Sequence, residues 1–238
     1  MNKLFILLSL LLLSFSSYSQ TTAEDFLKRG LSKAKLFDYI GSIADFSIAI
    51  DLNPNYEGAY FNRGISKTKL EDYREAILDF TKAIELKPKD AYAYFLRGNI
   101  KANLKDYRGS IEDLNKAIDL NPKDFDMYNS RGESKYKLEN YGGAILDYNE
   151  AIKLNPNFEG AYYYRGSSKY KLEDYTGAIQ DYTKVIELNP NNANAYNNRG
   201  LSKIKVGQKD SGCLDFSKAG ELGYKDAYDL IKKYCQLP

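Results

Sequence analysis

The chain has 238 residues, 43% of them hydrophobic and 14% aromatic, which is ample for a sizeable core and is not the composition of a disordered chain. A formal charge of +2 argues against a nucleic-acid binder, which usually carries a strong basic excess. With no histidine and only two cysteines, His-based triads, His metal ligands and a four-thiolate zinc site are excluded, and no metal or cofactor is expected.

The first element is a leader. Lys3 is followed by an apolar run from Leu4 to Leu13, broken only by Ser9, and then by a more polar stretch to Ser19. Ser17 and Ser19 stand at the spacing of a small-residue cleavage site. This pattern predicts a secretory signal peptide over 1–19, a short tail over 20–22 and an exported mature chain, periplasmic or secreted. An uncleaved anchor is the alternative. The apolar run is short for a membrane span and no second one follows, so no span is expected after cleavage. An exported chain can join Cys213 to Cys235 in a disulfide; two buried free thiols are the other reading.

From residue 23 a single period governs the chain. Gly30, Gly64, Gly98, Gly132, Gly166 and Gly200 are each 34 residues from the next. Asp45, Asp79, Asp113, Asp147, Asp181 and Asp215 keep the same step, as do the prolines from Pro54 to Pro190. A fixed period of this length signals a stacked repeat architecture. The units are 23–56, 57–90, 91–124, 125–158, 159–192 and 193–226. Each holds two apolar stretches with helical spacing, divided by a turn such as Asp106-Tyr107 and ended by a pair such as Asn121-Pro122.

A mid-helix glycine costs about 1 kcal/mol against alanine, so its recurrence predicts close approach of the paired helix at Ala76, Ser110, Ala144 and Ala178. The arginine before each glycine is expected to pair with the aspartate of the preceding unit, Asp45 with Arg63 and Asp79 with Arg97; pairing inside a unit, Arg29 with Asp45, is the alternative. Lys33 and its equivalents are expected to lay their stems on an aromatic ring with the ammonium in water.

A 34-residue helix–turn–helix unit carrying aromatic, Gly, Tyr, Ala, aromatic, Ala and Pro in this order resembles the tetratricopeptide repeat. Here these are Tyr60, Gly64, Tyr73, Ala76, Phe80, Ala83 and Pro88 in the second unit. The resemblance spans 23–226 and implies an all-α, right-handed superhelical solenoid of six antiparallel helix pairs. Residues 227–238 follow as a capping helix with Ala227, Leu230, Ile231 and Tyr234 on one face. The chain departs from the pattern in its invariant arginine before the glycine, its first-helix lysine, and a degraded sixth unit with Lys209 in the turn.

The resemblance also implies a non-enzymatic scaffold whose first helices line a concave groove for a protein or peptide. Carried over residue by residue, the groove positions are Phe61, Asn62, Phe95, Tyr136, Tyr163, Tyr164, Tyr170, Asn197 and Asn198, with Lys137 and Lys171 along the edge. Apolar rings would anchor an extended peptide, asparagines would bond its backbone, and lysines would favour acidic groups. Tyrosine with asparagine also suits a glycan, which is the alternative ligand. The two-carboxylate clamp of some family members is not reproduced, because Leu31 and Ser130 stand where asparagines are needed. No catalytic residue is expected. The apolar N-terminal end lacks a cap of its own and is a candidate for self-association.

Overall fold

A computed structural model of the chain describes residues 21–235. The leader at 1–19, its cleavage point and the last residues of the capping segment lie outside the described residues. The chain divides into two compact units, Met1–Pro88 and Lys89–Pro238. Among the described residues there are thirteen helices and no strand. None of these helices is long and apolar enough to cross a membrane.

The first unit holds α1 (Ala23–Lys35), α2 (Tyr39–Leu52), α3 (Glu57–Lys69) and α4 (Tyr73–Leu86). The second holds α5 (Ala91–Asn103), α6 (Tyr107–Leu120), α7 (Phe125–Lys137), α8 (Tyr141–Leu154), α9 (Glu159–Lys171), α10 (Tyr175–Leu188), α11 (Ala193–Lys205), α12 (Lys209–Glu221) and the short α13 (Ala227–Tyr234). Within each unit consecutive helices pack on one another, making two pairs in the first and four pairs plus α13 in the second. This is an all-α helical repeat.

The hairpin between paired helices is the same each time, and its chemistry is local. Where α1 ends, Asp38 N–H donates to Lys33 O and Phe37 N–H to Ala34 O, so two orphan carbonyls of the last turn are satisfied. This closure needs a left-handed residue, found at Phe37, Glu71, Lys105, Glu139 and Glu173 with φ of 60–64°, and at Gly207 with φ of 79°. Asp38 and Asp106 then cap the next helix by accepting from Gly41 and Gly109 N–H. The tyrosine expected in the turn therefore opens the second helix instead.

The repeated glycines face the second-helix ring or leucine rather than the small residues expected there. A Cβ on Gly30, Gly64, Gly98, Gly132, Gly166 or Gly200 would stand 2.5–3.1 Å from Phe46, Phe80, Leu114, Tyr148, Tyr182 or Phe216 respectively. Those side chains are essentially inaccessible. The missing side chain makes room for the largest core group of each pair. At Gly98 and Gly200 the paired backbone also closes in, through Ser110 O and Gly212 O.

The repeated charges correct two expectations. Each arginine bonds the aspartate of its own unit, 16 residues on: Arg29–Asp45, Arg63–Asp79, Arg97–Asp113, Arg131–Asp147, Arg165–Asp181 and Arg199–Asp215, at 2.5–2.7 Å. The Asp45–Arg63 pairing across units is absent. The neighbouring pair is reached by another route, since Arg63 Nη1 donates to Ser47 Oγ, Arg131 and Arg165 to Asn115 and Asn149 Oδ1, and Arg199 to Thr183 Oγ1. Each guanidinium also lies 4.6–5.7 Å from the ring centre of the aromatic three residues before it. The lysine, expected in water, places its ammonium 2.8–2.9 Å from the same aspartate. Each buried carboxylate thus receives two cations from one helix, which satisfies both oxygens.

At the C-terminal end Cys213 on α12 is bonded to Cys235, at an S–S distance of 2.03 Å. Ala227 is buried, and Tyr234 packs its ring 6.2 Å from that of Phe216. The helix of the capping segment is shorter than the 227–238 expected and closes at Tyr234.

Candidate functional site

In the second unit α5, α7, α9 and α11 are the first helices of their pairs, and neighbours among them touch directly. Their shared side carries two pockets. One, of about 190 Å³, is lined by Tyr136, Ser167, Tyr170, Lys171, Tyr182, Asn198 and Leu201. The other, of about 260 Å³, is lined by Asn99, Ala102, Asn103, Tyr107, Ser130, Glu133, Ser134 and Lys137.

The first pocket is built from tyrosines of α7, α9 and α10. Tyr136 meets Tyr141 edge-on at 5.3 Å and Tyr164 at 6.4 Å. Tyr163 sits edge-on to Tyr164 at 5.5 Å and to Tyr182 at 5.9 Å. Tyr170 is edge-on to Tyr175 at 5.2 Å. These are preferred aromatic geometries, so the rings brace one another.

The hydrogen bonds fix which atoms remain available. Ser167 Oγ donates to Tyr163 O at 3.0 Å, so its 3.0 Å contact with Tyr182 makes the tyrosine hydroxyl the donor. Asn197 Nδ2 donates to Asn198 Oδ1, and Asn198 Nδ2 donates to Tyr163 Oη at 3.1 Å. Asn198 keeps one N–H, and the Tyr136 and Tyr170 hydroxyls keep theirs. With the exposed Lys171 ammonium, the pocket offers donors to an acceptor-bearing ligand. Burial raises the pKa of Tyr136, Tyr163 and Tyr170, which keeps their hydroxyls protonated as donors.

The second pocket has a different character. Burial pushes the Glu133 carboxyl above the usual carboxylate range, opposed by Asn129 and Lys137. Asn129 Nδ2 donates to Glu133 at 2.6 Å, while Asn129 Oδ1 has no protein partner.

The structure thus brings Tyr136, Tyr170, Lys171 and Asn198 to one pocket, with Tyr163 bonded to its wall, and puts Lys137 on the other. Tyr164 stacks on Tyr148 behind them at 6.1 Å. Asn197, expected in the groove, is only 4% exposed and lies behind Asn198. Phe95 packs beside Ala117, Ile118 and Met127. In the first unit, Phe61 is edge-on to Phe80 at 5.7 Å and Asn62 Nδ2 returns to Gly58 O of its own helix. Ser167, Tyr182 and Leu201 were not anticipated as lining residues.

Sequence models described as tetratricopeptide repeats match residues 58–90, 91–124, 132–172 and 166–207. Among solved structures, the chain is similar to MamA protein, with 24% identity over 76% of this chain and 97% of that one, at a TM-score of 0.67. It is similar to YrrB, titled a TPR protein with an unusual peptide-binding site, at 23% identity over 79% and 97% of the two chains and a TM-score of 0.70. Similarity to PilF of Pseudomonas aeruginosa covers 89% and 96% at 15% identity and a TM-score of 0.74. No curated protein matches the chain significantly.

Proposed function

Because the chain belongs to the tetratricopeptide repeat family, we propose that it is a non-enzymatic scaffold that holds an extended segment of a partner protein along α7, α9 and α11. One observation carries this reading: the free donors of Tyr136, Tyr170, Asn198 and Lys171 converge on one pocket walled by aromatic rings. A peptide supplies what such a pocket lacks, namely carbonyl and carboxylate acceptors beside apolar groups. Lys137 and Lys171 favour acidic side chains on that segment. Tyrosine anchors lose little entropy on binding, and here they are already braced.

The same reading places the chain outside the reducing cytosol. The leader pattern at 1–19 directs export, and the Cys213–Cys235 bond belongs to an oxidising compartment.

A peptide array probed with the chain, read beside a glycan array, tests the proposal. Peptides with acidic residues should be retained. Asn198→Ala and Tyr170→Ala should each weaken retention several-fold with helicity unchanged. Binding confined to sugars, or peptide binding indifferent to both substitutions, overturns it.

A further inference from the structure

The outer side of α2 differs from its five counterparts. Positions 40, 44 and 48 lie one turn apart on one face and are Ile, Ala and Ile, all exposed. The equivalent residues are Arg74, Leu78 and Lys82 on α4, Arg108, Glu112 and Lys116 on α6, and Gly142, Leu146 and Glu150 on α8. On α10 they are Thr176, Gln180 and Lys184, and on α12 Asp210, Leu214 and Lys218. Every counterpart of Ile48 is charged. The left-handed turn before α2 repeats the contrast: Phe37 is 78% exposed, where other units have Glu71, Lys105, Glu139, Glu173 or Gly207. Leu36 at 78%, Ile40 at 75%, Ile48 at 37% and Leu52 at 54% complete the patch. A helix apolar on all sides is normally a buried one.

The pattern of the patch names its occupant. On α2, Ile40 and Ile48 lie four residues to either side of Ala44. A row that reads the same in both directions about a small central residue is self-complementary under a two-fold axis. Two such rows of residues four apart interdigitate at a crossing angle of about −50°, and Ala44 lets the axes approach. Five apolar side chains exposed by 37–78% make a patch on the order of a few hundred Å². A standard interface buries about 800 Å² per partner, of which about 56% is apolar, so the patch supplies the apolar share of one.

We infer that α2 is a homodimer interface, in which two copies of the chain cross antiparallel at Ala44. Ile40 of one copy packs on the partner copy's counterpart of Ile48, and Phe37 closes the rim. The contact lies within the first unit, and none of its residues lines the donor pocket of the second.

Sedimentation and light scattering of the chain beginning at Gln20, which keeps every described helix, test this inference. Wild type is expected to dimerise with concentration at micromolar levels. Ile40→Glu and Ile48→Glu should give monomers with unchanged circular dichroism. With Cys213 and Cys235 bonded, Ala44→Cys should form a covalent dimer under mild oxidation, whereas Leu78→Cys, the same position on α4, should not. A monomer at all concentrations, or a dimer that survives Ile40→Glu, overturns the proposal. So does a monomer that floats with phosphatidylethanolamine–phosphatidylglycerol vesicles, which would give the patch to lipid instead.

Discussion

Tyr148 on α8 and Tyr182 on α10 occupy the same place in successive repeats of the second unit, and their hydroxyls meet opposite fates. Both rings fill the space left by a first-helix glycine, Gly132 and Gly166, and both side chains are essentially inaccessible. Tyr182 donates to Ser167 at 3.0 Å. At the position of Ser167 the preceding repeat has Glu133, and the Tyr148 hydroxyl has no protein partner. Burial raises the pKa of both phenols, but a serine hydrogen bond opposes it only for Tyr182, whereas Glu133 adds to it for Tyr148. The period dictates the ring, and one variable residue on the facing helix decides whether the ring's polar atom is satisfied.

The largest effects should come from what the two repeats share. Asp147 and Asp181 are each 3% exposed, and each holds one arginine and one lysine. Removing such a carboxylate strands two cations, at a cost of about 3 kcal/mol. Asp147→Ala and Asp181→Ala should therefore lower stability in chemical denaturation by similar amounts. A large inequality would break the comparison at its base, because the scaffold would then not be the same under both tyrosines.

The hydroxyls themselves should show opposite signs. Tyr182→Phe removes a made hydrogen bond and should cost about 1 kcal/mol, while Tyr148→Phe removes an unsatisfied buried group and should stabilise by about 1 kcal/mol. Glu133→Ser sharpens this. It gives Tyr148 the partner that Tyr182 already has, so in that background Tyr148→Phe should become destabilising. If the two tyrosines respond alike in wild type, the orphaned hydroxyl is not a real difference.

The contrast also marks how far the sequence could be read. The helix pairs follow from the period, because whatever every pair needs recurs in every pair; the capping helix follows from its own apolar face, and the tyrosine-rich side of α7 and α9 from aligning the repeats on the family's groove positions. The partner of each arginine did not follow. Asp45 is 16 residues from Arg29 and 18 from Arg63, and only the tight hairpin turn decides for the nearer. The lysine could have been placed, since Lys33 stands four residues after Arg29 and so shares its face. Asn129 and Asn197 are equivalent positions, both buried with an unpartnered Oδ1, whereas the adjacent Asn198 reaches the pocket. Neighbours on a helix point about 100° apart, and the sequence does not set that phase to better than one residue. Tyr182 was missed as a lining residue because it recurs as a scaffold aromatic.

The smallest expected effect is a pH slope belonging to only one of the two repeats. Glu133 has a folded pKa raised first by burial, against the Asn129 hydrogen bond and Lys137; Ser167 cannot titrate. A raised acid binds its proton more tightly in the folded state, so stability should fall as pH rises from the ordinary glutamate range through the folded pKa. Glu133→Gln should remove that slope and raise the melting temperature at neutral pH, and Ser167→Ala should leave the slope in place. Asp45 supplies an opposite control in the first unit. The Arg29 hydrogen bond lowers its pKa against burial, so its contribution is held above the usual aspartate range and lost as pH falls through the depressed value. Thermal melts of wild type and Glu133→Gln from the acid range upward separate the two signs, and a slope above the ordinary glutamate range unchanged by Glu133→Gln would place the buried proton on another group.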